Sequence, residues 1–270
     1  MGGPGDRPGP DGDGAADRAA AAAQVFVADP SAPVPDDDDA RHLTRVLRLR
    51  PGEAVVAADG RGRWCRCRFR GGADQSRLLE PDGPMVLERA PAPALTVAFA
   101  PAKGDRPEWV VQKLTELGVD RIVPLAAARS VVRWEGDREA RALERLSKVA
   151  REAAAQSRRV WLPEVAGVAT LAALVGRTAA DGGAVRLAQL GGEPPSADDR
   201  VVAVGPEGGW APGELSLGCR ALGLGPAVLR AETAAVAAGV LLVSLRAGTV
   251  VENGAGPRAR GRGTEVGESR

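Results

Sequence analysis

Two short stretches hold the residues best suited to chemistry. Val204-Gly205-Pro206-Glu207-Gly208-Gly209 closes an apolar run that begins at Val201 and sets one carboxylate among three glycines. Leu224-Gly225-Pro226 leads through Leu229 and Arg230 to Glu232 and Thr233, just before a long apolar segment. A glycine turn at the C-terminal end of a strand lets backbone amides approach a ligand, because no Cβ intervenes and a positive φ costs little. The two turns therefore predict a cofactor pocket. Neither G-x-G-x-x-G nor G-x-x-x-x-G-K-[ST] occurs in the chain, which argues against a conventional dinucleotide or nucleoside triphosphate site.

Other chemistries find little support. The chain of 270 residues has three cysteines and one histidine; Cys65 and Cys67 are one residue apart on a predicted strand and Cys219 stands alone, so no zinc-type C-x2-C pair exists and no metal is expected. An odd number of thiols without a secretory signal points to the reducing cytoplasm. The longest apolar run, Thr233 to Leu245, is shorter than the roughly 20 residues of a membrane span. Lys plus Arg (36) nearly balance Asp plus Glu (35). The distribution is uneven, with arginines grouped at 41, 45, 48 and 50 and again from 61 to 70, so the neutral total can hide a basic face for RNA.

The elements that must position these residues follow from pattern. Residues 1–23 and 251–270 are Gly-, Pro- and charge-rich without periodicity, and both are predicted to be disordered tails. From Gln24, short strands (Val25 to Val27, Ala54 to Ala58, Trp64 to Phe69) and a helix over Ala40 to Leu49, with Leu43, Val46 and Leu47 inward, predict a small β-barrel over 24–90. On Trp64 to Phe69, Trp64, Arg66 and Arg68 share one face; the other carries Cys65, Cys67 and Phe69. Pro91-Ala92-Pro93 marks a boundary. Beyond it, strands at Leu95 to Ala100, Arg121 to Leu125, Ala184 to Leu190 and Val201 to Val204 alternate with helices at Pro107 to Leu117, Asp137 to Ser157, Leu171 to Val175 and Pro212 to Leu222. A brief strand at Ala227 to Arg230 and a buried helix at Thr233 to Leu245 follow. This alternation over 94–250 predicts a parallel α/β sheet with ligands beyond the carboxyl ends of its strands. Glu144, Lys148 and Glu152 are spaced for i,i+4 pairs along their helix.

Taken in order, these segments resemble the 16S rRNA uridine-N3 methyltransferases, the RsmE type within the SPOUT superfamily. The likeness rests on Val204 to Gly209 and Leu224 to Ala234. It continues through Lys103-Gly104-Asp105-Arg106, Glu108 to Lys113, Thr115 to Val119, Arg129-Ser130, Glu152 with Gln156 and Ser157, and His42-Leu43 with Arg45 to Arg48. It spans about Gln24 to Val250. The resemblance implies a PUA-like RNA-binding β-barrel followed by a SPOUT α/β domain with a deep C-terminal trefoil knot. It further implies a homodimer, S-adenosylmethionine as methyl donor, and 16S rRNA or the assembled small ribosomal subunit as partner. Two positions depart from the family pattern: Ala227, where a basic residue is usual, and Ala231, where threonine is usual.

Methylation of uridine N3 needs a nitrogen that carries a proton at neutral pH, so the site must remove that proton or stabilise the anion left behind. Under the resemblance, Glu207 and Glu232 are the candidate proton acceptors and Arg230 the candidate anion stabiliser. Leu190, Gly191, Gly205, Glu207, Gly208, Gly209, Leu224, Gly225, Leu229 and Thr233 would hold the cofactor, chiefly through backbone and apolar walls. Arg45, Arg48, Arg66, Arg68, Lys103, Arg106, Arg129 and Gln156 would meet RNA. Plainer accounts exist for some: Glu232 opens a helix, where a carboxylate offsets the macrodipole, and an ion pair bracing the fold would also explain Arg230. Two other functions share these features, a non-catalytic RNA-binding assembly factor and a knotted methyltransferase acting on tRNA.

Overall fold

A computed structural model of the chain describes residues 10–72 and 74–251. The expectations for 1–9 and 252–270 lie outside the described residues. Within 10–23, the expected disordered tail is instead helix α1 (Pro10–Ala20). What docks it is long-range: Arg18 lies over the Trp64 ring at 5.1 Å, pairs with Glu88 and donates to the Arg158 carbonyl at 3.3 Å. A local pattern could not register such partners.

Strand β1 (Ala23–Phe26) leads to α2 (Asp37–Arg41), whose N-cap Asp36 accepts from the Asp39 amide at 2.8 Å. Three aspartates in the first turn of α2 offset the dipole. The expected helix over Ala40 to Leu49 does not persist. It widens at once into a π turn over His42–Val46, which rotates the following side chains outward, so Leu43 is buried while Val46 and Leu47 are exposed. Strands β2 (Ala54–Ala58), β3 (Arg63–Phe69), β4 (Leu79–Pro81) and β5 (Val86–Leu87) complete a five-stranded sheet in the order β1-β2-β3-β4, with β5 also on β3. Among the described residues the strand pairings form an open path. Cys65, Cys67 and Phe69 face its core as alternation requires, and burial pushes the Cys67 thiol up to about 12, which leaves it inert.

The second domain alternates as expected: β6 (Thr96–Phe99), α3 (Arg106–Leu117), β7 (Arg121–Pro124), α4 (Asp137–Gln156), β8 (Glu164–Val165), α5 (Leu171–Ala180), β9 (Val185–Glu193), β10 (Val201–Val204), α6 (Pro212–Leu215), β11 (Arg220–Leu222) and α7 (Ala231–Ala247). The six strands form one parallel sheet in the order β11-β9-β10-β6-β7-β8. Val97 and Phe99 point to the α3, α4 and α7 side, Ala98 and Ala100 to the α5 and Trp210 side, so both faces are covered and the central strand β10 is apolar throughout. Pro107 opens α3 and Gly118, at φ 107°, closes it.

Four element assignments differ from expectation. The helix from Pro212 stops at Leu215, because Gly218 turns left-handed (φ 75°) and the buried Leu222 belongs to a strand. Ala227 to Arg230 is a loop with Val228 85% exposed, and β11 already ends the sheet. Strand β9 runs through Gly191 and Gly192 to Glu193 rather than ending before them. Helix α7 buries only the face carrying Ala231, Ala234, Ala235, Ala238 and Leu242, and Val240 is 41% exposed. Helix α4 also departs in its charges. Arg141 pairs along the helix with Asp137 (4.0 Å), but Lys148 reaches across to Asp38 (3.7 Å) rather than to Glu144 or Glu152, Arg145 reaches Glu108, and Arg151 reaches Asp36 (3.2 Å) and Asp39 (2.9 Å).

The two domains meet along α4 and the segment after it. Gln24 donates to the Arg159 carbonyl at 2.6 Å, Arg158 to the Ala21 carbonyl at 2.8 Å, and the Gly62 amide to Val160 at 3.1 Å. Trp64, on the arginine-bearing face of β3, is buried in this junction with Ala154 and Val160, so that face is only partly solvent-facing.

Candidate active site

Strand β10 lies centrally and delivers Gly205 to Gly209 from its C-terminal end, beside the loop leaving β6 on one side and the end of β9 on the other. The loop is held from behind. Pro206 accepts from the Gly209 amide at 2.8 Å to close a turn, and Gly209 adopts φ 70°. A Cβ on Gly205 would sit 2.9 Å from the Trp210 ring, so only glycine lets the strand end pass over that indole. Arg129 donates to the Gly208 carbonyl at 3.1 Å, and Glu214 accepts from Ala128 (2.9 Å) and Ala211 (2.8 Å), tying the loop after β7 to this one.

These supports frame a cleft of about 330 Å³ at the carboxyl ends of β9 and β10, closed by the 224–229 loop and the start of α7. Its walls are apolar, with Leu190, Trp210, Leu224 and Leu229 prominent, and Glu207 is the one charged residue among them. Because no lysine or arginine lines the cleft, a phosphate-bearing nucleotide would meet no counter-charge. An uncharged nucleoside suits this slot better, since the apolar walls can take its base.

A second cleft of about 300 Å³ opens on the other side of the same loop. It runs from Ala100 and Ala102 to Val131 and Val132, with Lys103 and Arg106 at its rim, and it shares Pro206, Glu207 and Ala231 with the first. Arg106 stands between two carboxylates: Nη1 is 3.5 Å from Glu207 Oε1 and Nε is 3.6 Å from Glu232 Oε1. The Glu207 side chain is 67% exposed and Glu232 only 13%. The second oxygen of Glu232 is buried without a hydrogen-bond partner.

The RNA methyltransferase domain family matches residues 88–243, and the RNA methyltransferase PUA domain family matches 35–74. A ribosomal RNA small subunit methyltransferase E from Mycobacterium bovis is 38% identical over 225 residues, covering 76% of this chain and 83% of its own. The chain belongs to the ribosomal RNA small subunit methyltransferase E family. A member from Bacillus subtilis is 28% identical over 222 residues, covering 73% of this chain and 84% of its own. Among solved structures, the ribosomal RNA small subunit methyltransferase E of Neisseria gonorrhoeae bound to S-adenosyl methionine has a TM-score of 0.66 at 26% identity, covering 83% of this chain and 97% of that one. A putative methyltransferase of Legionella pneumophila in complex with the bound cofactor SAM has a TM-score of 0.70 at 26% identity, covering 81% and 96%.

For a methyltransferase E, the sequence-derived site residues divide clearly. Leu190, Gly205, Glu207, Gly209, Leu224, Gly225 and Leu229 line the first cleft; Gly191, Gly208 and Thr233 do not. Gly208 instead faces Arg129, where a Cβ would approach the Arg129 Cβ to 3.3 Å, and Thr233 is exposed on α7. Arg230 lines neither cleft and forms no ion pair among the described residues, so neither expected role, anion stabiliser or brace, has a contact behind it. Glu232 turns away from the first cleft into a crevice with Phe99, Arg106 and Val110.

The RNA candidates divide too. Lys103 and Arg106 sit on the second cleft, Arg129 braces the loop, and Gln156 is exposed at the end of α4 by the domain junction, lining neither cleft. Arg68 is paired with Asp82 at 2.8 Å, a bond that holds the Asp82 carboxyl below its usual range, and Arg66 lies 3.6 Å from Asp17. Arg45 and Arg48 are exposed and make no ion pair among the described residues. Sequence reasoning passed over Trp210 and Glu214. The Glu214 role was signalled by its place three residues into a helix opened by Pro212, where a carboxylate reaches back to the N-cap amide. Among the described residues no group of three His, Cys, Asp or Glu could hold a metal, and no helix is long and apolar enough to cross a membrane.

Proposed function

We propose that this chain is an S-adenosylmethionine-dependent methyltransferase of small-subunit rRNA that acts on N3 of a uridine in 16S RNA. The observation that carries the reading is the first cleft: apolar, glycine-floored, with Glu207 as its one charge, in a chain 38% identical to a named small-subunit methyltransferase. S-adenosylmethionine bound there supplies a methyl carbon on a cationic sulfur that departs as a neutral thioether. Leu190, Leu224 and Leu229 wall the adenosyl group, and Gly205 and Gly209 leave room for backbone contact. Gly191 on β9, Gly208 in the loop after β10 and Thr233 on α7 stand outside the walls.

Glu207 is the proton acceptor in this reading, because it alone of the carboxylates borders both clefts. Glu207→Gln removes the charge and keeps the shape. It is expected to leave S-adenosylmethionine binding within about threefold while lowering single-turnover methyl transfer by roughly 10²-fold or more. Calorimetric titration and single-turnover assay on undermethylated small subunits separate the two effects, and an unchanged rate would remove Glu207 from the chemistry. Mass spectrometry of rRNA from cells lacking the gene tests the whole reading: one methyl-uridine should disappear.

The N-terminal domain presents RNA contacts through Arg45, on the π turn, and Arg48, just after it, which pair with no carboxylate among the described residues. Reversing both to Glu is expected to weaken subunit binding and flatten its salt dependence by roughly one to two units of log-log slope. Reversing Arg66 and Arg68 should change that slope less, since Asp17 and Asp82 already offset them. Equal slopes for the two double variants would overturn the distinction. Arg129 and Gln156 are left with structural and peripheral places respectively.

A deep knot, a homodimer and cytoplasmic residence complete the reading. Support for the knot is the approach of Gly192 and Gly223 backbones beside the cofactor loops, closer than any side chain would allow. Support for the homodimer is the half-open apolar face of α7, where Val240 is exposed and Val236, Ala237, Leu241 and Val243 stay part-exposed. Cytoplasmic residence follows from the substrate.

A further inference from the structure

The second cleft, which Glu207 also borders, has no occupant assigned to it, and the arginine on its rim no role in the chemistry. Its floor and wall are small and apolar (Ala100, Pro101, Ala102, Val131, Val132), and its cations, Lys103 and Arg106, stand at one side. It shares Pro206, Glu207 and Ala231 with the cofactor cleft, so the two are neighbours along one loop and the start of α7. Ala231 has no side-chain bulk to separate them.

Arg106 is held but not saturated. Its contacts to Glu207 and Glu232, at 3.5 and 3.6 Å, are longer than the 2.7–2.9 Å of charge-assisted hydrogen bonds. A guanidinium has five N–H donors. Glu232, 13% exposed and with its second oxygen buried and unpartnered, fixes the near side of that guanidinium. The far side faces the cleft.

We infer that the second cleft is the pocket for the extruded uracil, and that Arg106, not Arg230, carries the charge that forms on it; this rests on the methyltransferase reading above. An RNA base must leave its stack to reach a recessed site, and small apolar walls suit its faces. Uracil N3 lies between two carbonyl groups. When its proton passes to the Glu207 carboxylate, the negative charge spreads over both oxygens, and a fixed cation beside one of them stabilises that anion in proportion to its preorganisation. Glu232 is a positioning residue that acts through Arg106.

The test uses the full chain and small subunits from cells lacking the gene. Arg106→Gln is expected to lower single-turnover transfer by about 10²–10³-fold, with S-adenosylmethionine affinity changed less than about threefold. Its rate should climb with pH where the parent levels off, because an N3 anion without the guanidinium beside it accumulates only as the pH approaches the intrinsic pKa of uracil. Arg106→Lys should recover part of the loss. Ala102→Trp, which fills the second cleft without lining the first, should abolish transfer and spare cofactor binding. Subunits substituted with 5-bromouridine, irradiated on the enzyme, should crosslink within residues 100–106 or 131–132, and Ala102→Trp should erase that adduct. Normal transfer by both Arg106→Gln and Ala102→Trp, or crosslinks elsewhere, would overturn the inference while leaving the methyltransferase intact. Loss of cofactor binding in Arg106→Gln would assign the arginine to the other cleft. Failure of the parent chain to bind S-adenosylmethionine would sink the underlying reading instead.

Discussion

Gly192→Ala is expected to destabilise the chain by roughly 1–3 kcal/mol, the usual penalty of overfilling a close contact, and to weaken S-adenosylmethionine binding at least tenfold. A Cβ at this position would lie 2.5 Å from the carbonyl carbon of Leu222 and 2.7 Å from the Gly223 nitrogen. Both are backbone atoms, so no side chain can rotate aside. Relief requires β9 and β11 to part, against the bond from the Gly223 amide to the Glu193 carbonyl at 2.8 Å. The moving parts are cleft walls, since Leu190 precedes Gly192 on β9 and Leu224 follows Gly223, and both line the cofactor cleft. Gly191→Ala is the control. Its Cβ would meet nothing within 4 Å, so only the strain of φ 75° applies, about 1–2 kcal/mol. Scanning calorimetry and isothermal titration measure both variants; wild-type cofactor affinity in Gly192→Ala would show that the close approach does not shape the cleft.

Much of this site was readable because it is local. The apolar run Val201 to Val204 followed by a turn of glycines fixed both the central strand and the loop it delivers, since a buried parallel strand needs apolar residues on both faces. The walls Leu190, Leu224 and Leu229 came from the family resemblance, since one leucine in a loop looks locally like any other. Charges were legible only as composition. Arg106 and Glu207 are 101 residues apart, and nothing in either segment indicates that the loops after β6 and β10 converge. The arginines of β3 illustrate the converse. Their alternation correctly put Arg66 and Arg68 on one face, but Asp17 and Asp82, which offset them, come from other elements. Helix lengths failed where glycine and tertiary burial outrank periodicity, as at Gly218 and at the π turn from His42, and α1 owes its place to Trp64 and Glu88 rather than to its own sequence.

Asp120→Ala is expected to be the most destabilising single change, at about 3–5 kcal/mol, the range for removing one partner of a buried ion pair. Asp120 lies between Arg246, at the end of α7, and Arg159, just beyond α4, and all three side chains are 13–17% exposed. Its Oδ2 also accepts from the Leu95 amide at 2.9 Å, at the mouth of β6. Each guanidinium is anchored elsewhere and cannot follow the lost charge into solvent. Arg159 donates to the Thr115 and Val119 carbonyls at 2.8 and 2.9 Å, and Arg246 to Gly118 at 2.8 Å and Pro93 at 3.2 Å. Burial already lowers the proton affinity of Arg159; Asp120 raises it and Arg246 lowers it further. Deleting the carboxylate therefore leaves two fixed cations facing one another at low dielectric. For a domain of this size the melting temperature should fall by roughly 6–20 °C. Because the Arg159 carbonyl also accepts from Gln24, the junction with the N-terminal sheet should loosen with it, which amide hydrogen exchange in β1 would register. Arg246→Met in the same chain removes one of the stranded cations and should restore part of the loss. A double variant no more stable than Asp120→Ala would place the effect in the Leu95 hydrogen bond instead of in the charge.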